Sequence, residues 1–166
     1  MPPLPREFEM TRYFPLATAV MVMTLVPALA VGKKPDLDGP AIRAGAELYA
    51  ENCAACHGTN LEGAEDWQGY NEDGTLKPPP HDASGHTWHH SDMLLFDYVK
   101  LGGAAAMAKV ALEDFNSGMP PFGEVLTDEE IWNILTFIKS RWPEEIQQTQ
   151  REITEQERAI LKDKKN

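Results

Sequence analysis

Apolar residues recur at helical spacing in three stretches of the chain, separated by irregular segments rich in glycine and proline. Ile42, Ala46, Tyr49, Ala50 and Cys53 share one face of a first helix that starts near Asp38 or Gly39, with Pro40 in its first turn. Gly58 suits its stop. From Thr59 to Thr87 no helical period is visible, and Gly63, Gly69, Gly74, Gly85 and the run Pro78-Pro79-Pro80 punctuate the stretch. Ser91 then caps a second helix running to about Leu101, with Leu94, Leu95, Tyr98 and Val99 inward and Gly102-Gly103 at its end. A short alanine-rich piece and the loop Asn116 to Gly123 follow.

The third helix has the best-marked start. Thr127 is its N-cap, Glu130 sits three residues on, and Leu126 with Ile131 forms a hydrophobic staple. Ile131, Ile134, Leu135, Ile138 and Trp142 line one face, and Pro143 stops it. Beyond Pro143 the composition turns charged. Ile146, Ile153 and Ile160 form only a weak stripe, so residues 144–166 read as a charged helical tail lying over the domain or fraying from it. Polar residues at the other seam positions disfavour a coiled coil.

The N-terminus reads differently. Tyr13 to Val31 is apolar, follows Arg12 and ends in Ala28-Leu29-Ala30, a small-x-small pattern that predicts an export leader over residues 1–30, with Met10 as an alternative start. An uncleaved membrane anchor is the alternative, since the run is close to bilayer-spanning length. Residues 31–38 are a linker, 39–143 one domain, and 144–166 the tail.

Composition sharpens this picture. Only 8% of the 166 residues are aromatic, and there are 13 prolines and 12 glycines, which describes a loop-rich domain with a thin core that needs a staple. The formal net charge of -11 makes nucleic acid and anionic membrane surfaces poor partners and favours basic docking surfaces, or simply keeps an exported protein soluble.

Both cysteines lie in the run Cys53-Ala54-Ala55-Cys56-His57. Two thiols three positions apart can each add to a vinyl group of one porphyrin, and the adjacent histidine can offer a nitrogen to its iron. A zinc site would want a second close ligand pair, and a dithiol redox pair would want strand–helix alternation; neither is present. Haem attachment outside the cytoplasm also agrees with the leader. Wrapping such a group explains the long irregular loop.

With these features in order, Gly39 to Trp142 resembles the small monohaem class I cytochrome c family. Gly45, Tyr49 and Cys53 match its G-x-x-x-(aromatic)-x-x-x-C helix, and the C-x-x-C-H run follows. Ser117-Gly118-Met119-Pro120 looks like its second-ligand loop, and Ile134 and Phe137 match the last-helix positions that cross the first helix. The resemblance implies an all-α fold of three to five helices around one covalently bound haem c, here with a long loop insertion and a charged C-terminal helix. It implies a close approach of two helices at Gly45 and a proline carbonyl orienting His57; Pro78, Pro79 and Pro80 all qualify.

Cys53 and Cys56 are the expected attachment points and His57 the proximal iron ligand. Met119, held between Gly118 and Pro120, is the expected sixth ligand, against Met107, Met93 or a loop histidine. His/Met ligation suits electron transfer, whereas an open site would bind ligands. His81, His86, His89 and His90 read as surface imidazoles of a structural loop, as haem-propionate partners together with Trp88, or as a copper or zinc site. The chain is thus expected to be a periplasmic carrier, not an enzyme, shuttling single electrons between unknown redox partner proteins. The alternatives are a fixed electron-entry subunit of a larger oxidoreductase, and a haem sensor or metal-delivery protein.

Overall fold

The computed structural model describes residues 39–164. The leader expected over 1–30 and the linker over 31–38 lie outside the described residues, as do the last two residues of the tail. The described fold is all-α. Its helices are α1 (Pro40–Asn52), α2 (Ala54–His57), α3 (Asp92–Leu101), α4 (Gly103–Lys109), α5 (Asp128–Ser140) and α6 (Glu144–Asp163), with a 3-10 turn at Thr87–His89. Among the described residues the only β pairing is isolated bridges, Tyr70 with Leu76 and Leu76 with Ser117.

The central packing is α1 across α5. Gly45 is buried at the crossing, where an added Cβ would stand 2.0 Å from the Asn133 carbonyl oxygen and 3.0 Å from the Phe137 Cβ. Only a residue without a side chain lets the helices meet so closely. The core around the crossing consists of Tyr49, Leu61, Leu95, Phe96, Val99, Leu126, Ile131, Ile134, Leu135, Ile138 and Trp142. The α5 face therefore packs as its periodicity predicts. Its capping box is complete: Thr127 accepts from the Glu130 backbone, and Glu130 accepts from the Thr127 backbone at 2.8 Å. The Ser91 side chain likewise caps α3 through the Leu94 backbone N–H.

Two elements differ from the sequence pattern. The first helix does not run unbroken through the cysteine motif; it ends at Asn52, and α2 restarts after Cys53. The tail forms a twenty-residue helix that lies over the domain, with Ile146 of its isoleucine stripe packed against the core but its most buried residues polar. Ile160 is 55% exposed, whereas Gln150 and Thr154 are buried. The seam is polar because the surface it covers is polar. Gln150 Nε2 donates to Asp92 Oδ1 at 2.9 Å and to the His90 carbonyl at 3.2 Å, and Thr154 Oγ1 accepts from the Asp92 backbone N–H at 3.0 Å. Lys139 of α5 closes the same network on Asp92 at 2.6 Å.

No helix among the described residues is long and apolar enough to cross a membrane.

Candidate functional site

The break at Cys53 separates the two thiols by a single turn. Cys53 packs against the core, Cys56 is exposed, and the two are not bridged to one another. Burial, reinforced by Cys56, pushes the Cys53 thiol up to about 11. Gly58 ends α2 at φ 81, a conformation that turns the chain away immediately after His57. The Tyr49 hydroxyl donates to the Gly58 carbonyl at 3.0 Å and so ties α1 to this turn. Burial, together with Cys53, Glu62 and Asp82, pushes the Tyr49 phenol well up, so it keeps the proton it donates.

His57 is 7% exposed, and its Nδ1 lies 2.9 Å from the Pro79 carbonyl oxygen. Of the three prolines that qualify by sequence, the structure selects the middle one. The carbonyl can only accept, so Nδ1 carries the proton and the Nε2 lone pair is left for a metal. Burial lowers the pKa of His57 and outweighs the Pro79 bond, which acts in the opposite direction, so the site favours the neutral ring. Two unbridged thiols one turn apart and a neutral imidazole with a fixed tautomer are the donor set that a covalently attached haem requires.

Met119 lies in the loop before α5, half-buried against the core cluster. Its backbone N–H donates to Ser117 Oγ at 3.2 Å, and its carbonyl accepts from Gly103 N–H at 3.1 Å. The Gly102-Gly103 pair is the floor under this loop. A Cβ at Gly102 would stand 3.0 Å from the Met119 carbonyl oxygen, and one at Gly103 would stand 2.0 Å from Ser117 Oγ. Met107 sits on α4, half-buried, and Met93 on α3 is 43% exposed. Open clefts of about 350 and 240 Å³ flank residues 111–116, and neither is lined by Cys53, Cys56, His57 or Met119.

The loop histidines do not act as a group. His81 stacks on His57 with ring centroids 4.1 Å apart. His86 stacks on Trp67 and meets His90 edge-on at 5.4 Å, while His89 packs on Trp88. The Trp88 indole N–H, one of the expected propionate donors, is taken by the Gly85 carbonyl at 3.0 Å. No cluster of three or more His, Cys, Asp or Glu suited to a metal occurs among the described residues.

Sequence reasoning missed the second layer around His57. Thr87 and Trp142 donate to the Pro80 and His81 carbonyls of the Pro78-Pro79-Pro80-His81 run, and the His81 ring lies against His57. The run of three prolines was the available signal, since each fixes its own φ and offers no backbone N–H, which keeps the segment out of a helix.

The family described as "Cytochrome C oxidase, cbb3-type, subunit III" matches residues 40–138. The cbb3-type cytochrome c oxidase subunit FixP of Sinorhizobium medicae (strain WSM419) is 28% identical over 106 residues, which is 64% of this chain and 32% of that protein. The match thus spans about a third of the length of that relative. No solved structure matches. The chain belongs to the cbb3-type subunit III family of cytochromes c, and is a monohaem electron-transfer protein whose cofactor is covalently bound haem c.

Proposed function

We propose that this chain is an exported cytochrome that relays single electrons between redox proteins, with Cys53 and Cys56 holding the haem by thioether bonds and His57 and Met119 as axial ligands. The bound haem supplies a one-electron Fe(III)/Fe(II) couple. The chain's own residues fix its surroundings: Pro79 orients the His57 ring, Tyr49 secures the turn after it, and the glycine pair supports the Met119 loop. The observation that carries this reading is the His57–Pro79 bond at 2.9 Å, because it leaves Nε2 as the free donor beside two unbridged thiols. Residues 1–30 act as the export leader or anchor, 31–38 as a linker, 39–143 as the haem domain and 144–166 as its charged tail. The cytochrome is periplasmic in this reading.

A second reading is supported by the comparison: the FixP relative is named as an oxidase subunit, so this chain serves as a fixed electron-entry subunit rather than a diffusing shuttle. The α6 seam favours the shuttle, since the tail is already packed on its own domain and is not a spare docking arm. Acid-acetone extraction of the exported product tests the cofactor: the colour stays with the protein if the thioethers exist and washes out if they do not. Haem staining of periplasmic and membrane fractions on native gels separates the two modes. A free band near the monomer mass supports the shuttle, and co-migration with a large oxidase complex overturns it. Ready binding of carbon monoxide to the reduced protein would overturn Met119 ligation and favour a sensor.

A further inference from the structure

We propose that His81 is a positioning residue for the axial imidazole, holding the face of the His57 ring while Pro79 holds its edge. This rests on the reading of His57 as an iron ligand.

The two imidazoles lie 21° from parallel with centroids 4.1 Å apart, which is face-to-face contact. A ring lying over the face of His57 is off the line of the His57 Nε2 lone pair, so His81 is a neighbour of the first ligand and not a candidate for the second. His81 is itself held on several sides. Its Nδ1 lies 2.9 Å from Thr87 Oγ1, and the Thr87 hydroxyl donates to the Pro80 carbonyl at 3.2 Å. The hydroxyl proton is committed to Pro80, so Thr87 accepts from His81 Nδ1–H, which sets the tautomer of His81. The His81 backbone N–H donates to the Leu61 carbonyl at 2.8 Å, and its carbonyl accepts the Trp142 indole N–H at 2.7 Å. Tyr49 meets its ring edge-on at 6.3 Å.

Three consecutive residues therefore act on one imidazole. The Pro79 carbonyl fixes rotation about the ring's own axis, the Pro80 carbonyl holds Thr87, and Thr87 holds the His81 ring against the face of His57. The Pro79 hydrogen bond sets the tautomer and direction of the ring but grips it at one atom, which leaves its plane room to rock. A stacked ring anchored from behind removes that freedom, and the orientation of a ligand plane tunes the electronic structure of the metal.

The test is electron paramagnetic resonance of the oxidised, haem-loaded protein, because its g values report axial-ligand orientation whether or not any electron is delivered to a partner. His81→Leu removes the flat ring and the bond to Thr87; His81→Phe keeps a flat ring; Thr87→Val frees the ring from behind. The expected result is a shifted or broadened largest g value in His81→Leu and Thr87→Val, with His81→Phe returned toward wild type. Wild-type g values in His81→Leu, or a His81→Phe signal displaced as far as that of His81→Leu, would overturn the proposal. Should His81→Leu fail to take up haem, Thr87→Val decides: a shift supports the role and an unchanged signal overturns it. Loss of colour from the wild type in acid acetone would instead strike the reading of the haem site and is seen before any variant is made.

Discussion

Gly45 separates what a sequence motif encodes from what packing demands. Its missing side chain is the contact itself: a methyl group there would drive into the Asn133 carbonyl at 2.0 Å. Backbone cannot step aside as a flexible side chain does. Gly45→Ala is expected to cost about 3 kcal/mol, the upper end for overpacking a tight core, and denaturant titration of the haem-loaded variant measures it. Met119 makes the complementary point at the proposed sixth ligand. Met119→Ala should abolish the weak far-red absorption band of Met–Fe(III) bonding, and Met107→Ala should keep it; the reverse pattern in visible spectra would transfer the ligand to α4. Both residues were legible in sequence as members of a pattern. His81 was not, since a histidine beside three prolines carries no periodic signal, and its role arises from a ring-on-ring contact formed only when the loop folds back onto α2.

At the scale of the element, helices announced by caps and periodicity formed where expected. The Thr127 box is worth about 1 kcal/mol as an N-cap, so Thr127→Ala should lower the unfolding midpoint by a corresponding amount without altering the visible spectrum. The tail helix is the instructive departure. Hydrophobic spacing finds helices that bury apolar faces, and α6 buries Gln150 and Thr154 against the N-terminus of α3. Apart from Ile146 such a seam carries little apolar signature, because its partner is a carboxylate, a carbonyl and a backbone N–H. The seam also responds to acid. Burial raises the Asp92 pKa, but hydrogen bonds from Lys139 and Gln150 and the charges of Lys139 and Arg158 outweigh it and hold the carboxyl below its usual value. A depressed folded-state pKa gives stability that is present above the unfolded value, about 4, and lost as pH falls through the folded one. Thermal melts should therefore show wild type losing stability below about pH 4, with Asp92→Asn less stable at neutral pH and less sensitive to acid in that window.

Charge acts over the whole molecule. With a net charge of -11, encounter with a basic partner is steered by long-range attraction that salt screens within about 8 Å at physiological ionic strength. Stopped-flow reduction by a cationic redox protein is expected to slow several-fold as salt rises from 10 to about 150 mM, while reduction by a small neutral reductant should not change; equal salt responses would mean that docking ignores the field. One arrangement also bears on how the molecule comes to be assembled. Trp142 holds the carbonyl of His81, Gln150 that of His90, and Thr154 the backbone of Asp92. The residues that hold the cradle from outside thus follow Cys53 to His57 along the chain, and emerge after it during export. A newly made chain presents its thiols on an open bench, with the latch still to come. Fitting the pigment and then shutting the case behind it is the sequence of events that this order of residues permits, and a variant without α6 should still be coloured but poorly sealed.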